Sequence, residues 1–221
     1  MGYTWRFDLV LKNWTILVAG FKYTLLLSLY SLGIGTVVGL LLALLRLSKI
    51  RIIDFLVSIF IDVFRSVPAL VLLFWFFYNL PILTGISPSP LISAALALGL
   101  MTGAFLCEII RGGILSIAKG QWEAAQALGM TTGQVYRRVV LPQAIVRMLP
   151  PVGSTFISLF KASALASVVA VTEVMWQAHV LIQYNFRAIE TYTVVAFLYM
   201  IITYPQALVV NYLHRRFLPE E

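Results

Sequence analysis

The run from Tyr23 to Leu45 contains no charged side chain, and this constrains the chain more than any other feature. A helix crossing a hydrocarbon core needs ~20 mainly apolar residues, each adding ~1.5 Å of rise. Backbone polar groups in lipid have no water to bond, so a buried stretch of this length must satisfy them within its own structure. Composition agrees: 61% of residues are hydrophobic and 11% charged, against ~25% charged in soluble domains. The expected fold is an all-α polytopic membrane domain.

Four further stretches meet the same length requirement. Ile52 to Leu80 forms a second span, although Asp54, Asp62 and Arg65 precede Pro68 within it. Pro81 to Pro90 reads as a turn, Leu91 to Arg111 as a third span, Met148 to Thr172 as a fourth and Thr191 to Leu213 as a fifth. The expected organisation is a single domain over 1–221: an outer segment 1–15, spans one to three within 16–118, a polar loop 119–147, spans four and five within 148–213, and a tail 214–221. Residues 1–15 lack a basic start, an apolar run and a small-residue cleavage site, so they do not read as a cleaved signal. With Trp5, Phe7 and Trp14 they look like an interfacial lead into the first span.

Five crossings put the ends of the chain on opposite sides, and the excess of Lys and Arg in cytoplasmic loops chooses the orientation. Arg46, Lys49, Arg51, Arg111, Lys119, Arg137, Arg138, Arg147, Arg215 and Arg216 then lie inside, leaving mainly Arg6, Lys12, Lys22 and Arg187 outside. The net charge of +7 therefore reads as topology. The basic residues form no long run with interleaved aromatics, so nucleic acid is not an expected partner. A lone Cys107 and isolated His179 and His214 offer neither a metal-ligand cluster nor a nucleophile pair.

Between the third and fourth spans, Lys119 to Ala144 keeps amide, hydroxyl and charged side chains with no apolar run long enough to span. Glu123 to Leu128 is made of good helix formers, and Gly129 follows where a left-handed cap would sit. Thr131 stands three before Gln134, the spacing of a capping box that opens a second helix, which Pro142 is expected to close. On the first helix Trp122, Ala125 and Gly129 share a face, a knob beside small residues suited to another protein.

Ionisable groups inside spans are costly and normally face a partner or a cavity. Arg65 has Asp62 three residues before it, and Glu108 has Arg111 three after it, so helical pairing is one way to satisfy all four. Lys161 has no acidic residue within one turn and stands among Ser158, Ser163 and Ser167. The expectation is that Lys161 and Ser163, with Arg65 as a second cation, hold a substrate carboxylate, and that Glu173 or Glu108 meets its ammonium.

The polar loop also carries a resemblance. "EAAQALGMTTGQVYRRVVLP", Glu123 to Pro142, resembles the EAA loop of the membrane subunits of ABC importers: Glu-Ala-Ala, three residues, Gly, nine residues, then hydrophobic-x-Leu-Pro. Glu123, Ala124, Ala125, Gly129, Leu141 and Pro142 occupy its defining positions. "FRSVP" (Phe64 to Pro68), "CEIIRGGILSIAKGQ" (Cys107 to Gln121), "LPQAIVRMLPP" (Leu141 to Pro151) and "FKASALASVVAVTEV" (Phe160 to Val174) are similar to the polar amino acid permease branch. The resemblance covers the chain from Tyr23 onward.

It implies a type I importer permease of five transmembrane helices in a bacterial cell (inner) membrane, with the N-terminus outside and the C-terminus cytoplasmic. A second permease subunit, identical or homologous, two ATP-binding cassette subunits and an extracytoplasmic substrate-binding protein would complete it. The loop would be the coupling helix that docks on the ATPase. No G-x-x-x-x-G-K-[ST] occurs, so ATP and Mg are expected on the partner, with no cofactor in this chain and transport, not catalysis, as its activity. The branch's frequent Arg-Gly-Thr-Pro and Lys-x-Thr-Ser-Leu are here Arg65-Ser66-Val67-Pro68 and "KASAL", Lys161 to Leu165. Cys107-Glu108 with Lys-x-Ser-Ala looks somewhat like the acidic amino acid permeases, which tilts the expected substrate toward glutamate or aspartate. Two other classes remain open: an ion-coupled carrier or channel working without an ATPase, and a membrane scaffold dimerising through Gly35-x-x-x-Gly39.

Overall fold

The computed structural model describes residues 3–48 and 50–217; Lys49 and the last residues of the tail lie outside the described residues. The described residues are almost wholly helical: α1 (Phe7–Leu11), α2 (Trp14–Leu47), α3 (Arg51–Ser66), α4 (Ala69–Thr84), α5 (Pro90–Leu115), α6 (Lys119–Ala127), α7 (Thr132–Val169), α8 (Val174–Asn185) and α9 (Ala188–Phe217). α2, α5, α7 and α9 are each long and apolar enough to cross a bilayer. α3 and α4 together make the fifth candidate, but as a broken pair.

The second span, expected over Ile52 to Leu80, is thus bent, and α4 carries it on to Thr84, into the stretch expected as a turn from Pro81. α3 and α4 meet at 105°. Steric conflict with the ring of Pro68 disfavours a helical conformation at Val67, which adopts φ −78° and ψ 131°, and Pro68 itself takes φ −58° and ψ 139°.

The fourth span also differs from expectation. Pro142 does not close a helix, because α7 runs from Thr132 through Leu141 and Pro142 and on to Val169. A wide turn, Tyr136–Val140, lies immediately before, and another, Trp75–Asn79, precedes Pro81 in the same way. A proline ring clashes with the carbonyl four residues back, and here that carbonyl belongs to Arg138 or Phe77, inside the widened turn. The helix absorbs the proline instead of ending. α7 finishes as a tight 3-10 stretch, Ser163–Val169, with Ala170 left-handed at φ 62°.

α2 and α5 pack at backbone distance. A Cβ built on Gly35 would stand 3.0 Å from the carbonyl oxygen of Gly99, and one on Gly39 would stand 2.9 Å from that of Gly103. The Gly35 and Gly39 motif is therefore filled within the chain by Gly99 and Gly103, which removes the basis for reading it as a dimer face. Thr102 and Leu106 pack in the same seam.

The start of α9 is tied to the N-terminal segment. The Tyr3 hydroxyl donates to Glu190 at 2.5 Å, the Arg6 N–H donates to the same carboxylate at 3.0 Å, and Arg187 donates to the Thr4 carbonyl at 3.1 Å. Arg6 also pairs with Asp8 at 3.0 Å and holds that exposed carboxyl below its ordinary pKa.

Candidate functional site

The polar loop is built by α6 and the first turns of α7. α6 ends in a double-bonded C-cap: Gly129 takes φ 76°, its N–H donates to Gln126 at 2.9 Å, and the Met130 N–H reaches the Ala125 carbonyl at 3.2 Å. Only a residue free of the Cβ penalty adopts that φ without strain. The chain reverses and α7 opens with the capping box, the Thr131 N–H donating to Gln134 Oε1 at 2.9 Å.

This hairpin has an inner and an outer face, and the inner one is not where the sequence pattern put it. Ala125 is buried among Ile114, Ile117, Val135, Val140 and Ala144, and Trp122 packs edge-on against Tyr136 at 4.9 Å. The Trp122 and Ala125 face anchors the loop to its own bundle. Outside that packed face Glu123, Ala124 and Leu128 are exposed, the last 80%, with Leu141 and Pro142 exposed further along α7.

The charged groups in the spans divide into separate sites. Glu108 pairs with Arg111 at 2.7 Å and also with Arg46, which in turn bonds Asp54 at 2.8 Å. Arg46 lies on a different helix from Glu108, so spacing along one helix does not reveal the pair; its place at the end of the first span, opposite the end of the third, is the available signal. Among the described residues Arg65 forms no ion pair with Asp62. Its guanidinium instead lies over the Phe105 ring, 5.3 Å from the centroid.

Arg65 lines a cleft of about 510 Å³ bounded by Pro68, by Thr102 and Phe105 on α5, and by Ser154 and Ser158 on α7. The bend at Val67 and Pro68 forms one wall. Lys161 is exposed but does not line this cleft. Ser163 is buried and donates to the Phe160 carbonyl at 2.7 Å. Glu173, fully buried, caps α8 by accepting from the Met175 and Trp176 N–H groups at 2.9 and 2.8 Å, and also accepts from the Tyr199 hydroxyl at 3.2 Å. Of the five residues expected to meet substrate, Arg65 alone faces the cleft; Glu108 lies one turn beyond Phe105 on α5. Ser158 is legible in the sequence as a hydroxyl near Lys161, whereas Ser154 and Thr102 are not, since isolated hydroxyls in apolar helices carry no distinguishing pattern.

The comparisons agree with this architecture. The family model described as "Binding-protein-dependent transport system inner membrane component" matches residues 35–219. The L-cystine transport system permease protein of Bacillus subtilis is 38% identical over 98% of this chain and 93% of its own length. The glutamine transport system permease protein of Escherichia coli is 36% identical over 91% and 92%. The crystal structure of an amino acid ABC transporter with histidines superposes with a TM-score of 0.90 at 33% identity, covering 97% of this chain and 100% of that one. An inward-facing methionine ABC transporter gives a TM-score of 0.67 at 26% identity over 95% and 96%. The chain belongs to the family of binding-protein-dependent transport system inner membrane components, as a permease subunit of an amino acid ABC importer.

Proposed function

We propose that this chain forms one half of an amino acid path across the cell membrane, paired with a second permease subunit, and that its α6 hairpin couples the path to two separate ATP-binding cassette subunits. ATP and Mg are held by those partners, and an extracytoplasmic binding protein delivers substrate. The observation that carries this reading is the outward face of the hairpin. Glu123, Ala124 and Leu128 are exposed on a short helix whose other side is packed into the bundle, so force applied there reaches α5 and α7 directly. An ion-coupled carrier working alone leaves an 80% exposed Leu128 beside that packed helix without a role.

The orientation follows the charges. Arg46, Arg51, Arg111 and Lys119 gather at the hairpin end, whereas Arg6 and Arg187 meet at the start of α9. The bond between Tyr3 and Glu190 supports opposite sides for the two ends, because α9 then runs 30 residues, ~45 Å, toward Arg215 and Arg216. The N-terminus is outside and the C-terminus cytoplasmic.

For the substrate, Arg65 in a cleft edged with hydroxyls supports recognition of an amino acid carboxylate. The tilt toward glutamate or aspartate rests on the likeness of Cys107-Glu108 and Lys-x-Ser-Ala to the acidic amino acid permeases and on two cations suiting an anion; of those cations, Lys161 does not line the cleft. With relatives named for L-cystine and glutamine, a polar amino acid without net charge fits the single guanidinium better.

Replacing Leu128 by Asp tests the coupling assignment. The variant is expected in the membrane at ordinary level, with ATP-driven uptake and co-purified ATPase both reduced at least tenfold. Undiminished uptake would remove the hairpin from the coupling path.

A further inference from the structure

A second cavity, of about 530 Å³, lies where α2, α3 and α5 meet the hairpin. Arg46, Arg51, Arg111 and Lys119 line it around Asp54. Arg46 and Arg111 are held by the carboxylates of Asp54 and Glu108; Arg51 and Lys119 join no ion pair among the described residues. Four cations facing two carboxylates leave an excess of two positive charges in one concavity. Such an arrangement favours an anion with several acceptor oxygens, which both guanidinium and ammonium groups bind.

The rim identifies the kind of anion. On α3, Ile52 is 73% exposed and Phe55 and Leu56 are also exposed, while Leu115 is exposed at the end of α5. Leu115 lines the basic cavity itself, and Ile52 and Phe55 are next in sequence to its lining residues Arg51 and Asp54. Trp122 and Tyr136 line its other side, aromatic types that favour the headgroup level. These two residues belong to the inner face of the hairpin, and neither Glu123 nor Leu128, on the surface assigned to the ATPase, lines the cavity.

We infer that this cavity binds the phosphate of an anionic phospholipid, joining a headgroup of the cytoplasmic leaflet to the coupling hairpin. The leaflet, though not the cavity's chemistry, rests on the orientation proposed above. The lipid acyl chains lie along Ile52, Phe55 and Leu115, and its phosphate is shared by Arg51 and Lys119. Occupancy fixes the start of α6 relative to α3, so the bilayer composition sets how firmly the hairpin is held.

The test uses the assembled transporter in nanodiscs of phosphatidylcholine containing a minor fraction of phosphatidylglycerol, with retained lipid read by native mass spectrometry. Wild type is expected to keep phosphatidylglycerol in preference to phosphatidylcholine. The double variant Arg51→Gln with Lys119→Gln leaves the Arg46, Asp54, Glu108 and Arg111 pairs in place and is expected to lose that preference by about tenfold, with the membrane level and thermal unfolding midpoint of this chain as the folding control. Equal retention by both proteins would overturn the inference. Inorganic phosphate displacing the signal with no preference for lipid would identify a free-phosphate site and overturn it too, as would lipid bound to the isolated chain but absent from the complex, which would mean that the ATPase covers the cavity. Nanodisc lipid reaches both ends of the protein, so a negative result is independent of orientation; thiol labelling of Leu128→Cys from each side reads the orientation separately.

Discussion

Gly39 rests on Gly103: a Cβ on Gly39 would lie 2.9 Å from the Gly103 carbonyl oxygen and 2.8 Å from the Leu106 Cβ. No side chain fits between these backbones, so the distance between α2 and α5 is set by the absence of one. Gly39→Leu is expected to separate the helices and lower stability by about 1–3 kcal/mol, the usual range for overpacking. Gly33→Leu, on the same helix with nothing within 4 Å of its Cβ position, is expected to be tolerated. Thermal unfolding of the two variants in detergent distinguishes them; equal midpoints would show that the glycine seam is not needed for packing.

At Gly129 the demand is purely conformational, since its Cβ position is open but φ is 76°. Gly129→Val is expected to strain the cap by about 1–2 kcal/mol and to reduce ATP-driven uptake while leaving the spans folded. Gly129→Asn, a residue that visits the left-handed region more readily, should retain most uptake. Membrane level and vesicle uptake measured together check both.

Arg65 offers a planar fork in the cleft, and a carboxylate matches that fork better than a point charge does. Arg65→Lys is expected to raise the KM for the transported amino acid about tenfold, equivalent to ~1.4 kcal/mol, with the transporter still assembled. Uptake with unchanged KM would place the carboxylate elsewhere and leave Arg65 as a partner of Phe105.

Glu173 holds the first turn of α8 from a fully buried position. Glu173→Leu removes the acceptor for two N–H groups and is expected to cost about 1–2 kcal/mol, as other N-cap losses do. Glu173→Gln keeps an acceptor oxygen and should lose less. Limited proteolysis between Ala170 and Asn185 reports the difference as earlier cleavage.

Much of this fold is written locally in the sequence. Long apolar runs mark α2, α5, α7 and α9, although Lys161 interrupts the one in α7, because a span is a statement about consecutive residues. The cap at Gly129 and the box at Thr131 and Gln134 were equally legible, since each involves groups a few residues apart. What did not show was set by the third dimension. Pro142 reads as a helix stop until the wide turn at Tyr136–Val140 gives its ring room, and α8, though apolar, is only 12 residues long, too short to read as a span, and is opened by Glu173. The hairpin face was misread for the same reason: Trp122 and Ala125 look like a docking knob until Tyr136 and Val140 are brought beneath them. Lys161 and Arg65 are both span cations in the sequence, yet only one of them lines the cleft.

The most direct measurement is the intact mass of the complex extracted gently from its native membrane through a tag on this chain. Two ATP-binding cassette subunits with two permease chains are predicted, and the mass also tells an identical pair from two different chains. This chain recovered alone, with uptake that persists after reconstitution without any ATPase, would contradict the coupling role of the hairpin.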